Sequence, residues 1–338
     1  MSDLDRQIIT HLQEDGRRAF VTIARAVGVT EKTVRTRVRQ LLGSNIIRIV
    51  ALTMPSAIGY NAGALVAINV ESSAQITDVA RALAGVDDVD YVVSTSGRYD
   101  ILAELVSPSR QTLLETFHTK VRGIDGIARV ELFPYFSFYY QQAAFFTQPK
   151  AAKGLSSAHG EQLDLLDRSI AVELSHNGRA PLKNVAQNVG MSETQVRARI
   201  QNMASAGTMT IMAIVNPMNL PNSAMAWLAI KANGNSSLRS LARDMAEIPY
   251  ISYVVICAGR FDIFAEIVCP STEALLATID NKVRDNPNVR SVEANFCFDL
   301  HYKPVIPMNG YGTDRSTGTV ELPDDLDDVQ HEQDNSCE

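Results

Sequence analysis

The strongest constraint on this fold is a segment of 18 residues that occurs twice. Tyr91–Pro108 and Tyr253–Pro270 are identical at 11 of 18 positions and lie 162 residues apart. The same offset, without insertion, relates other matches: Leu4-Asp5-Arg6 with Leu166-Asp167-Arg168, Gly16-Arg17 with Gly178-Arg179, Val27-Gly28 with Val189-Gly190, and Tyr140 with Tyr302. A chain of 338 residues has room for roughly two domains. The spacing therefore predicts two tandem copies of one subunit-sized unit rather than a solenoid of short repeats.

Each copy of this segment predicts a β-hairpin. In Ile101–Val106 the side chains alternate between two faces, and Glu104 lies on the same face as Leu102. The run before the turn is rich in Val, Thr and Tyr, as strands are. The Gly-Arg-aromatic-Asp sequence between the two runs supplies the turn. The hairpin is therefore the centre of each unit.

The first third of each copy has the pattern of three short helices. In the first copy the apolar groups are Leu4, Ile8 and Leu12; Ile23, Ala24 and Val27; and Val34, Val38 and Leu41. In the second copy they are Leu166, Ile170 and Leu174; Val185, Ala186 and Val189; and Val196, Ile200 and Met203. Gly16 is a plausible stop for the first helix, Gly28 closes the second, and Thr30 opens the third. Ser192 opens the equivalent helix with a capping box that reaches Gln195. Two short helices about a tight turn, the second rich in arginine, indicate helix-turn-helix domains over residues 1–50 and 163–212.

The outward side of the third helix carries the candidate DNA contacts. In the first copy these are Lys32, Thr33, Arg35, Thr36, Arg37 and Arg39. In the second copy they are Ser192, Gln195, Arg197 and Arg199. Long cations with small hydroxyl groups between them suit phosphate anchoring and base-edge contacts in a major groove. The alternative is a charged face that is merely solvated, as is common on helices.

The two third helices differ in charge. Residues 30–42 contain one glutamate against one lysine and three arginines, a net charge of +3, whereas residues 192–204 carry a net charge of +1. Three outward residues have uncharged counterparts in the second copy: Thr194 for Lys32, Ala198 for Thr36 and Gln201 for Arg39. Each lost phosphate contact weakens binding and flattens its salt dependence. We therefore expect the first helix-turn-helix to bind DNA more strongly, and the second to be auxiliary or to read different bases.

The remainder of each copy predicts a β-α-β-β-α-β module, over residues 55–142 and 217–304. A linking strand precedes each module, at Ile46–Met54 and Thr208–Asn216. The second helix of the module is predicted from Leu113, Leu114, Phe117 and Val121, and from Leu275, Leu276, Ile279 and Val283. The predicted fold class is therefore α+β, with two tandem copies of a winged or three-helix helix-turn-helix plus a ferredoxin-like effector and oligomerisation module.

The ferredoxin-like module also predicts how the copies meet. Two helices cover one face of a four-stranded sheet, so the other face must be buried against something else. A second, similar sheet is the simplest partner, through a two-fold interface. We therefore expect one chain to be a pseudo-dimer with its two sheets face to face.

Two segments have no periodic pattern. Residues 143–162, with Thr147–Gly160 at their centre, are rich in small and polar residues and predict a linker. Residues 311–338 contain nine acids and one base, and they predict an acidic disordered tail. This tail accounts for the net charge of −7, because the preceding 310 residues are close to neutral. The tail is expected to aid solubility or, alternatively, to compete with phosphate for the basic surface.

The cysteines and histidines predict no metal site, no cofactor and no catalytic residue. Cys257, Cys269 and Cys297 lie in apolar strand-like runs, where buried reduced thiols are usual, and the six histidines are scattered. No apolar run approaches the ~18 residues of a membrane span, and the first twenty residues lack the pattern of a secretory signal. We therefore expect a soluble, cytoplasmic protein without a membrane partner.

In this order, and twice over, the motifs resemble those of the leucine-responsive regulatory protein / asparagine regulator (Lrp/AsnC) family. The resemblance rests on the Leu-Asp-Arg opening of the helix-turn-helix, the linking strand and the Gly-Arg-aromatic-Asp turn, and it covers Leu4–Tyr140 and Leu166–Tyr302. It implies a transcription regulator that binds double-stranded DNA and a small-molecule effector, an amino acid or a similar metabolite. It also implies assembly into homo-oligomers, here built from pseudo-dimeric chains.

The resemblance further implies an effector site at the turn between the central strands. Its residues are Gly97, Arg98, Tyr99 and Asp100, with Gly259, Arg260, Phe261 and Asp262. Backbone N–H groups near glycine can hold a carboxylate, and aspartate can receive an ammonium group. The alternative is that glycine and aspartate only make the turn. Glu104 and Glu266 are either effector contacts or, as we favour, members of inter-sheet salt bridges.

Two other functions are compatible with this organisation. Siroheme decarboxylases look like the same two-module architecture, but they should carry additional histidine and arginine residues near the tetrapyrrole. Neither hairpin of this chain contains a histidine. A DNA-silent interaction module is the remaining alternative. The sequence favours a DNA-binding regulator over both.

Overall fold

The computed structural model describes residues 1–141 and 163–302. The predicted linker, 143–162, and the predicted acidic tail, 311–338, lie outside the described residues. Within these ranges each copy contains three helices, a linking strand and a β-α-β-β-α-β module in that order. The predicted α+β fold class and its tandem duplication are confirmed.

The same elements follow one another in both copies. In the first copy they are α1 (Asp3–Glu14), α2 (Phe20–Val27), α3 (Glu31–Gly43), β1 (Ile47–Thr53), β2 (Ala62–Val70), α4 (Ile76–Ala84), β3 (Val89–Ser96), β4 (Ile101–Ser107), α5 (Arg110–Thr116) and β5 (Ile127–Gln141). In the second copy they are α6 (Leu165–His176), α7 (Leu182–Val189), α8 (Glu193–Ser205), β6 (Met209–Val215), β7 (Ala224–Ala232), α9 (Leu238–Ala246), β8 (Ile251–Cys257), β9 (Ile263–Cys269), α10 (Thr272–Thr278) and β10 (Val289–Tyr302). Helices α5 and α10 continue as π-helical segments, Phe117–Val121 and Ile279–Arg284.

The two helix-turn-helix domains share a two-stranded ribbon. Strand β1 pairs with β6 in antiparallel register, with Ile47 opposite Val215. The core of the first domain includes Ala213 and Val215 of the second copy, and the core of the second domain includes Ala51 of the first. The predicted linking strands therefore join the two copies to each other, which their spacing along the sequence does not indicate.

Gly16 and Gly178 allow the chain to approach this ribbon closely. The N–H of Gly16 donates to the carbonyl of Ile211 at 2.8 Å, and the N–H of Gly178 donates to that of Ile49 at 2.7 Å. A Cβ on Gly16 would lie 2.9 Å from the main chain of Met212, which is closer than real Cβ contacts, and a Cβ on Gly178 would also be too close. Packing against the ribbon is therefore the physical reason for a glycine predicted only as a helix stop.

Each ferredoxin-like module forms a four-stranded antiparallel sheet. The strand order is β3-β4-β2-β5 in the first copy and β8-β9-β7-β10 in the second. Helices α4 and α5 pack on the outer face of the first sheet, and α9 and α10 pack on that of the second. Leu113 and Leu275 are buried in these outer cores, whereas the adjacent Leu114 and Leu276, which the pattern grouped with them, are exposed.

The inner faces of the two sheets enclose a shared core. Leu65, Tyr99 and Phe133 of the first copy pack with Trp227 and Phe264 of the second. The predicted pseudo-dimer with facing sheets is confirmed. In addition, β5 pairs with β8 and β10 pairs with β3, so the two sheets close into one continuous barrel. The length of β5 and β10, 15 and 14 residues, allows each to reach from its own sheet into the other.

Candidate nucleic-acid interface and effector turns

Local hydrogen bonds fix the start of α3. Thr30 is the N-cap, and its Oγ1 accepts from the N–H of Thr33 at 3.2 Å. The hydroxyl groups of these two threonines lie 2.9 Å apart. Val34, Val38 and Leu41 are buried in the core of the domain. The opposite side of α3 is therefore turned to solvent.

Lys32, Thr36 and Arg39 form this exposed side of α3. Neither Lys32 nor Arg39 forms an ion pair within residues 1–141 and 163–302. A lysine and an arginine can each reach a phosphate, and the shorter threonine hydroxyl between them is suited to a base edge. These three predicted residues are therefore available to an external ligand.

Arg35 and Arg37 contact other side chains of the first domain. Arg35 forms an ion pair with Glu31 at 2.8 Å, and its guanidinium lies 5.5 Å from the centre of the Phe20 ring. Arg37 lies 3.8 Å from the carboxylate of Asp5. Because the Arg37 contact is longer than a hydrogen bond, this guanidinium is the less constrained of the two.

The start of α8 is built by two of the predicted contact residues. The Oγ of Ser192 accepts from the N–H of Gln195 at 3.3 Å, and the Oε1 of Gln195 accepts from the N–H of Ser192 at 3.0 Å. This is the capping box that the sequence predicted. In the structure, both side chains therefore stabilise the beginning of the helix.

The cations of α8 are fewer and more constrained than those of α3. Arg197 is exposed. Arg199 donates from one nitrogen to Asp164 at 2.7 Å and to Asp167 at 2.8 Å. In the part of the chain that the structure describes, α8 thus presents a single exposed cation without an ion pair.

Sequence reasoning missed a pair of arginines between the two helix-turn-helix domains. The Nη1 of Arg17 donates to the carbonyl oxygens of Gly178 and Ala180 at 2.7 and 3.0 Å. The Nη1 of Arg179 donates to the carbonyl oxygen of Gly16 at 2.7 Å. Each arginine therefore fixes the opposite copy. The Gly-Arg match at the repeat offset was visible in the sequence, but nothing in it indicated that the partner lies in the other copy.

Arg179 is buried enough for its charge to be disfavoured. Its guanidinium lies 4.3 Å from the centre of the Phe20 ring. Burial, together with the neighbouring charge of Arg17, lowers the pKa of Arg179 to about 10. The group stays protonated at neutral pH, so two like charges are kept close together by their hydrogen bonds to main-chain carbonyls.

The two effector turns have the same backbone geometry. Gly97 and Gly259 have φ angles of +121° and +133°, in a region that side chains with a Cβ rarely adopt. Asp100 accepts from the N–H of Val70 at 2.8 Å, and Asp262 accepts from the N–H of Ala232 at 2.9 Å. The glycine and the aspartate thus hold each hairpin to its neighbouring strand, as the turn-forming alternative requires.

The arginines of the two turns contact glutamates of the opposite copy. Arg98 donates to Glu293 at 2.5 and 2.8 Å, and Arg260 donates to Glu131 at 3.4 Å through two nitrogens. The Arg98 guanidinium lowers the pKa of Glu293. Each turn is therefore joined to a strand of the opposite copy, and Glu131 accepts both from Arg260 of the second turn and from Tyr99 of the first.

The aromatic residues of the turns are buried in the shared core and differ by one hydroxyl group. Tyr99 donates from its hydroxyl to Glu131 at 3.1 Å, and burial raises the pKa of Tyr99 to about 12. Phe261 is equally buried and has no such group. One polar contact of the first turn therefore has no equivalent in the second.

Glu104 and Glu266 lie between the sheets and form cross-copy hydrogen bonds. Across the copies, Glu104 accepts from the hydroxyl of Tyr253, and Glu266 accepts from that of Tyr91 at 3.0 Å. Glu266 also accepts from the hydroxyl of Ser252 in its own copy at 2.5 Å. No lysine, arginine or histidine of the described ranges pairs with either carboxylate, so the favoured prediction of inter-sheet salt bridges is wrong. Burial raises the pKa of Glu104 to about 7 and also raises that of Glu266.

Two family descriptions each match this chain twice. An AsnC-type helix-turn-helix domain matches residues 1–42 and 163–204, and an Lrp/AsnC ligand binding domain matches residues 63–145 and 223–304. The chain belongs to the Lrp/AsnC family. The resemblance inferred from the sequence is confirmed, and the protein is a DNA-binding transcription regulator with small-molecule-binding domains in tandem.

Single-copy Lrp/AsnC relatives match about two fifths of this chain. An uncharacterized HTH-type transcriptional regulator of Pyrococcus furiosus is 39% identical over 132 residues, which are 39% of this chain and 88% of that protein. The HTH-type transcriptional regulator FL11 of the same organism is 30% identical over 128 residues, covering 38% and 83% of the two chains. The regulatory protein AsnC of Escherichia coli K12 is 26% identical over 132 residues, covering 39% and 87%.

Solved structures of both lengths resemble this Lrp/AsnC chain. The siroheme decarboxylase NirDL is 15% identical, has a TM-score of 0.58, and covers 90% of this chain and 94% of its own. E. coli AsnC is 26% identical with a TM-score of 0.37, over 40% of this chain and 93% of its own. The likeness to NirDL shows a shared fold of two joined modules.

The described residues show no further centre of a different kind. No group of three or more histidine, cysteine, aspartate or glutamate side chains in residues 1–141 and 163–302 could hold a metal ion. None of the helices in those ranges has the length and apolar character needed to cross a membrane. Cys257, Cys269 and Cys297 are buried and free, as their apolar strand context predicted.

Proposed function

We propose that this regulator binds operator DNA chiefly through α3 of its first copy. The observation that supports this most strongly is the contrast between the two recognition helices. Lys32 and Arg39 are exposed cations, whereas Thr194 and Gln201 at the equivalent positions are uncharged. Arg199 is held by two carboxylates. Phosphate affinity should therefore reside mainly in the first helix-turn-helix.

Each residue of the exposed face has a role in this proposal. Lys32 and Arg39 anchor phosphates, and Thr36 contacts a base edge. Arg37 adds a phosphate contact when its long interaction with Asp5 is exchanged, while Arg35 and Thr33 position the helix. On α8, Arg197 is the main DNA contact and Arg199 contributes least. Ser192 and Gln195 hold the first turn of the helix in position for the DNA.

Salt dependence tests this assignment. The affinity of the full chain for a duplex from the DNA upstream of its own gene is measured between 50 and 200 mM salt. The double variant Lys32→Ala and Arg39→Ala should flatten the slope of log K against log salt by about 1.8, from two phosphate contacts at about 0.9 each. The matched control is Thr194→Ala with Gln201→Ala, which should leave the slope unchanged. Equal losses from both pairs would contradict the proposal.

We also propose that the effector is an amino acid or a related zwitterion that binds at the two effector turns. Arg98, Arg260, Glu131 and Glu293 bring two cations and two anions together across the copies. A carboxylate and an ammonium group on one small molecule could exchange with these pairs without leaving an unpaired charge. Asp100 and Asp262 support the turn itself, and Tyr99 and Phe261 support the core beneath it.

A thermal-shift screen of the twenty amino acids tests the effector proposal. A ligand at 100 times its dissociation constant stabilises the folded state by roughly 2.7 kcal/mol. Arg98→Gln should abolish the shift. Arg81→Gln, which removes an exposed arginine that pairs within α4, is the matched control and should retain it. If no amino acid shifts the unfolding temperature, the alternative that these residues only make the turn is preferred.

We propose further that pseudo-dimeric chains associate into a homo-oligomer in the cytoplasm. Phe136 and Phe298, at equivalent positions of β5 and β10, have two thirds of their surface exposed and offer an apolar contact on each copy. Sedimentation equilibrium of the full chain measures the state directly. A concentration-independent mass of 37.0 kDa would contradict this proposal.

The second candidate function is a siroheme decarboxylase activity. The observation in its favour is the two-module fold shared with NirDL over most of both chains. Against it, the chain carries no histidine in either hairpin. Anaerobic incubation with siroheme separates the two functions, because tetrapyrrole binding changes the absorption spectrum. A regulator should give no change, whereas decarboxylated product would establish the enzyme.

A further inference from the structure

The N-cap residue of the first helix differs between the two copies. Ser2 caps α1, and its Oγ accepts from the N–H of Asp5 at 3.2 Å. Asp164 caps α6, and its Oδ1 accepts from the N–H of Asp167 at 2.8 Å. Serine and aspartate are comparable N-caps, so either residue can start the helix. Aspartate differs in having a second oxygen and a negative charge that the cap does not use.

That second oxygen binds the recognition helix. The Oδ2 of Asp164 accepts from the Nη1 of Arg199 at 2.7 Å, and Asp167 accepts from the same nitrogen at 2.8 Å. In the first copy the equivalent Arg37 lies 3.8 Å from the carboxylate of Asp5, its one ion-pair partner among the described residues. The side chain of Arg199 is 29% exposed, against 42% for Arg37. The replacement of the serine cap by aspartate therefore gives Arg199 an additional carboxylate partner, and this arginine is less exposed than Arg37.

Arg199 nevertheless lies on the outward surface of α8. It lines a surface depression of about 410 Å³ with Asp167, Met191, Gln195, Ala198 and Asn202. Gln195 and Ala198 are exposed positions of the same helix. A duplex that lay along this side of α8 would therefore come close to Arg199.

Asp164 and Asp167 together carry two negative charges against the single positive charge of Arg199, so the net charge around this guanidinium is negative. An approaching phosphate would have to displace both of them before it could use the arginine. The N–H of Asp167, and then the guanidinium, lower the pKa of Asp164, so its carboxyl group is ionised at neutral pH. In the first copy a phosphate competes with one distant carboxylate.

We propose that Asp164 withholds Arg199 from DNA and thereby weakens the second helix-turn-helix beyond the loss of the cations at Thr194 and Gln201. The inference rests on the proposed function, since it presupposes that the chain binds DNA through its recognition helices. Asp164 acts here as a positioning residue, through the arginine that it holds. Replacing it by the serine of the first copy should release one phosphate contact.

The test exchanges the two cap residues in the full chain. Asp164→Ser should tighten binding to the upstream duplex about three- to ten-fold and steepen the salt slope by about 0.9, the value of one phosphate contact. Ser2→Asp, the reciprocal change, should weaken binding because it adds a carboxylate beside Arg37. Thermal unfolding should differ little among these variants, because both residues cap well.

Arg199→Ala identifies the group through which Asp164 acts. In the wild-type background this change should weaken binding less than Arg197→Ala does, because Asp164 and Asp167 already hold the Arg199 guanidinium. In the Asp164→Ser background it should remove the whole gain. A gain that persists without Arg199 would mean that Asp164 acts only through its own charge, and the inference would be overturned.

The variants of α3 separate this inference from the function on which it rests. If Lys32→Ala with Arg39→Ala weakens binding while Asp164→Ser changes neither affinity nor slope, the inference fails and the proposed function stands. If the wild-type chain does not bind the duplex at any salt concentration, the proposed function fails and takes the inference with it.

Discussion

The two helix-turn-helix domains share their cores and differ on their surfaces. Leu12 and Leu174 are equivalent, identical and fully buried. Lys32 and Thr194 also occupy equivalent positions, but Lys32 is a cation and Thr194 is uncharged. Within one chain, the buried positions of the two domains have stayed apolar, while some of the positions that face solvent have lost their charge. The comparison teaches that a common architecture does not make the two copies functionally interchangeable.

The interior of the barrel shows a smaller divergence of the same kind. Phe133 of β5 packs under Gly259, and Asn295 of β10 occupies the equivalent place under Gly97. The ring of Phe133 lies 5.0 Å from that of Phe264, centre to centre, whereas Asn295 donates to a main-chain carbonyl. The shared core is thus more aromatic on one side of the pseudo-two-fold axis than on the other.

The largest expected effect tests the identity of the cores. Leu12→Ala and Leu174→Ala should each lower the free energy of unfolding of the affected domain by about 2–5 kcal/mol, because each removes a fully buried leucine and leaves a cavity. Chemical denaturation followed by circular dichroism measures both. Losses that differ by more than about 1 kcal/mol would break the comparison.

A second pair of variants tests the ribbon contact. Gly16→Ala and Gly178→Ala should each cost about 1–3 kcal/mol, because the new methyl group would lie within 3 Å of the opposite strand. Gly43→Ala is the control, since a Cβ there meets nothing within 4 Å. A loss at Gly43 as large as those at the ribbon would show that backbone freedom, and not close approach, sets the cost.

A third prediction concerns pH. The pKa of Glu104 is about 7 in the folded chain, against an ordinary value of 4.5, so the folded state binds this proton more tightly than the unfolded state does. The contribution of protonated Glu104 to the free energy of unfolding is fully present below pH 4.5 and is lost as the pH rises to about 7. The free energy of unfolding falls by at most about 1.4 kcal/mol per pH unit in this interval.

Glu104→Gln keeps an oxygen that can accept from Tyr253, and it should flatten the stability profile between pH 4.5 and 7. Glu266→Gln, at the equivalent position, should act in the same direction. Urea unfolding at half-unit pH intervals gives both profiles. An unchanged slope in Glu104→Gln would assign the dependence to other groups.

The smallest expected effect compares the cross-copy ion pairs. Arg98→Ala should cost more than Arg260→Ala, because Arg98 contacts Glu293 at 2.5 and 2.8 Å while Arg260 contacts Glu131 at 3.4 Å. Both pairs are partly exposed, so neither loss should exceed about 1 kcal/mol. The same unfolding experiment at low and high salt checks them. A larger loss at Arg260 would reverse the expected order.

Local periodicity accounts for the part of the fold that the sequence predicts well. Val34, Val38 and Leu41 fix which side of α3 is buried, so the exposure of Lys32, Thr36 and Arg39 follows from spacing alone. The capping box at Ser192 is likewise a short-range pattern. The duplicated hairpin predicted two tandem copies, and the β-α-β-β-α-β order, whose two helices leave one sheet face uncovered, predicted that their sheets face each other.

Contacts between distant residues account for what the sequence did not predict. Asp164 and Arg199 are 35 residues apart, and Arg17 reaches the opposite copy, so no local pattern connects either pair. Glu104 was predicted to contact the effector or, as favoured, to form an inter-sheet salt bridge, but its carboxylate accepts from the hydroxyl of Tyr253 of the other copy instead. The pairing of β1 with β6 depends on how the two copies pack against each other. The sequence pattern of a single copy does not specify that packing.

Both copies belong to one chain, so their association through the shared ribbon and the closed barrel is an intramolecular event. A pair of separate subunits comes apart on dilution, whereas here one recognition helix cannot be present in the cell without the other. A substitution in the recognition helix of a symmetric homodimer alters both subunits at once, whereas in this chain it alters one copy. Each recognition helix can therefore change independently, while the hydrogen bonds of the ribbon and the barrel retain the spacing between the two helices.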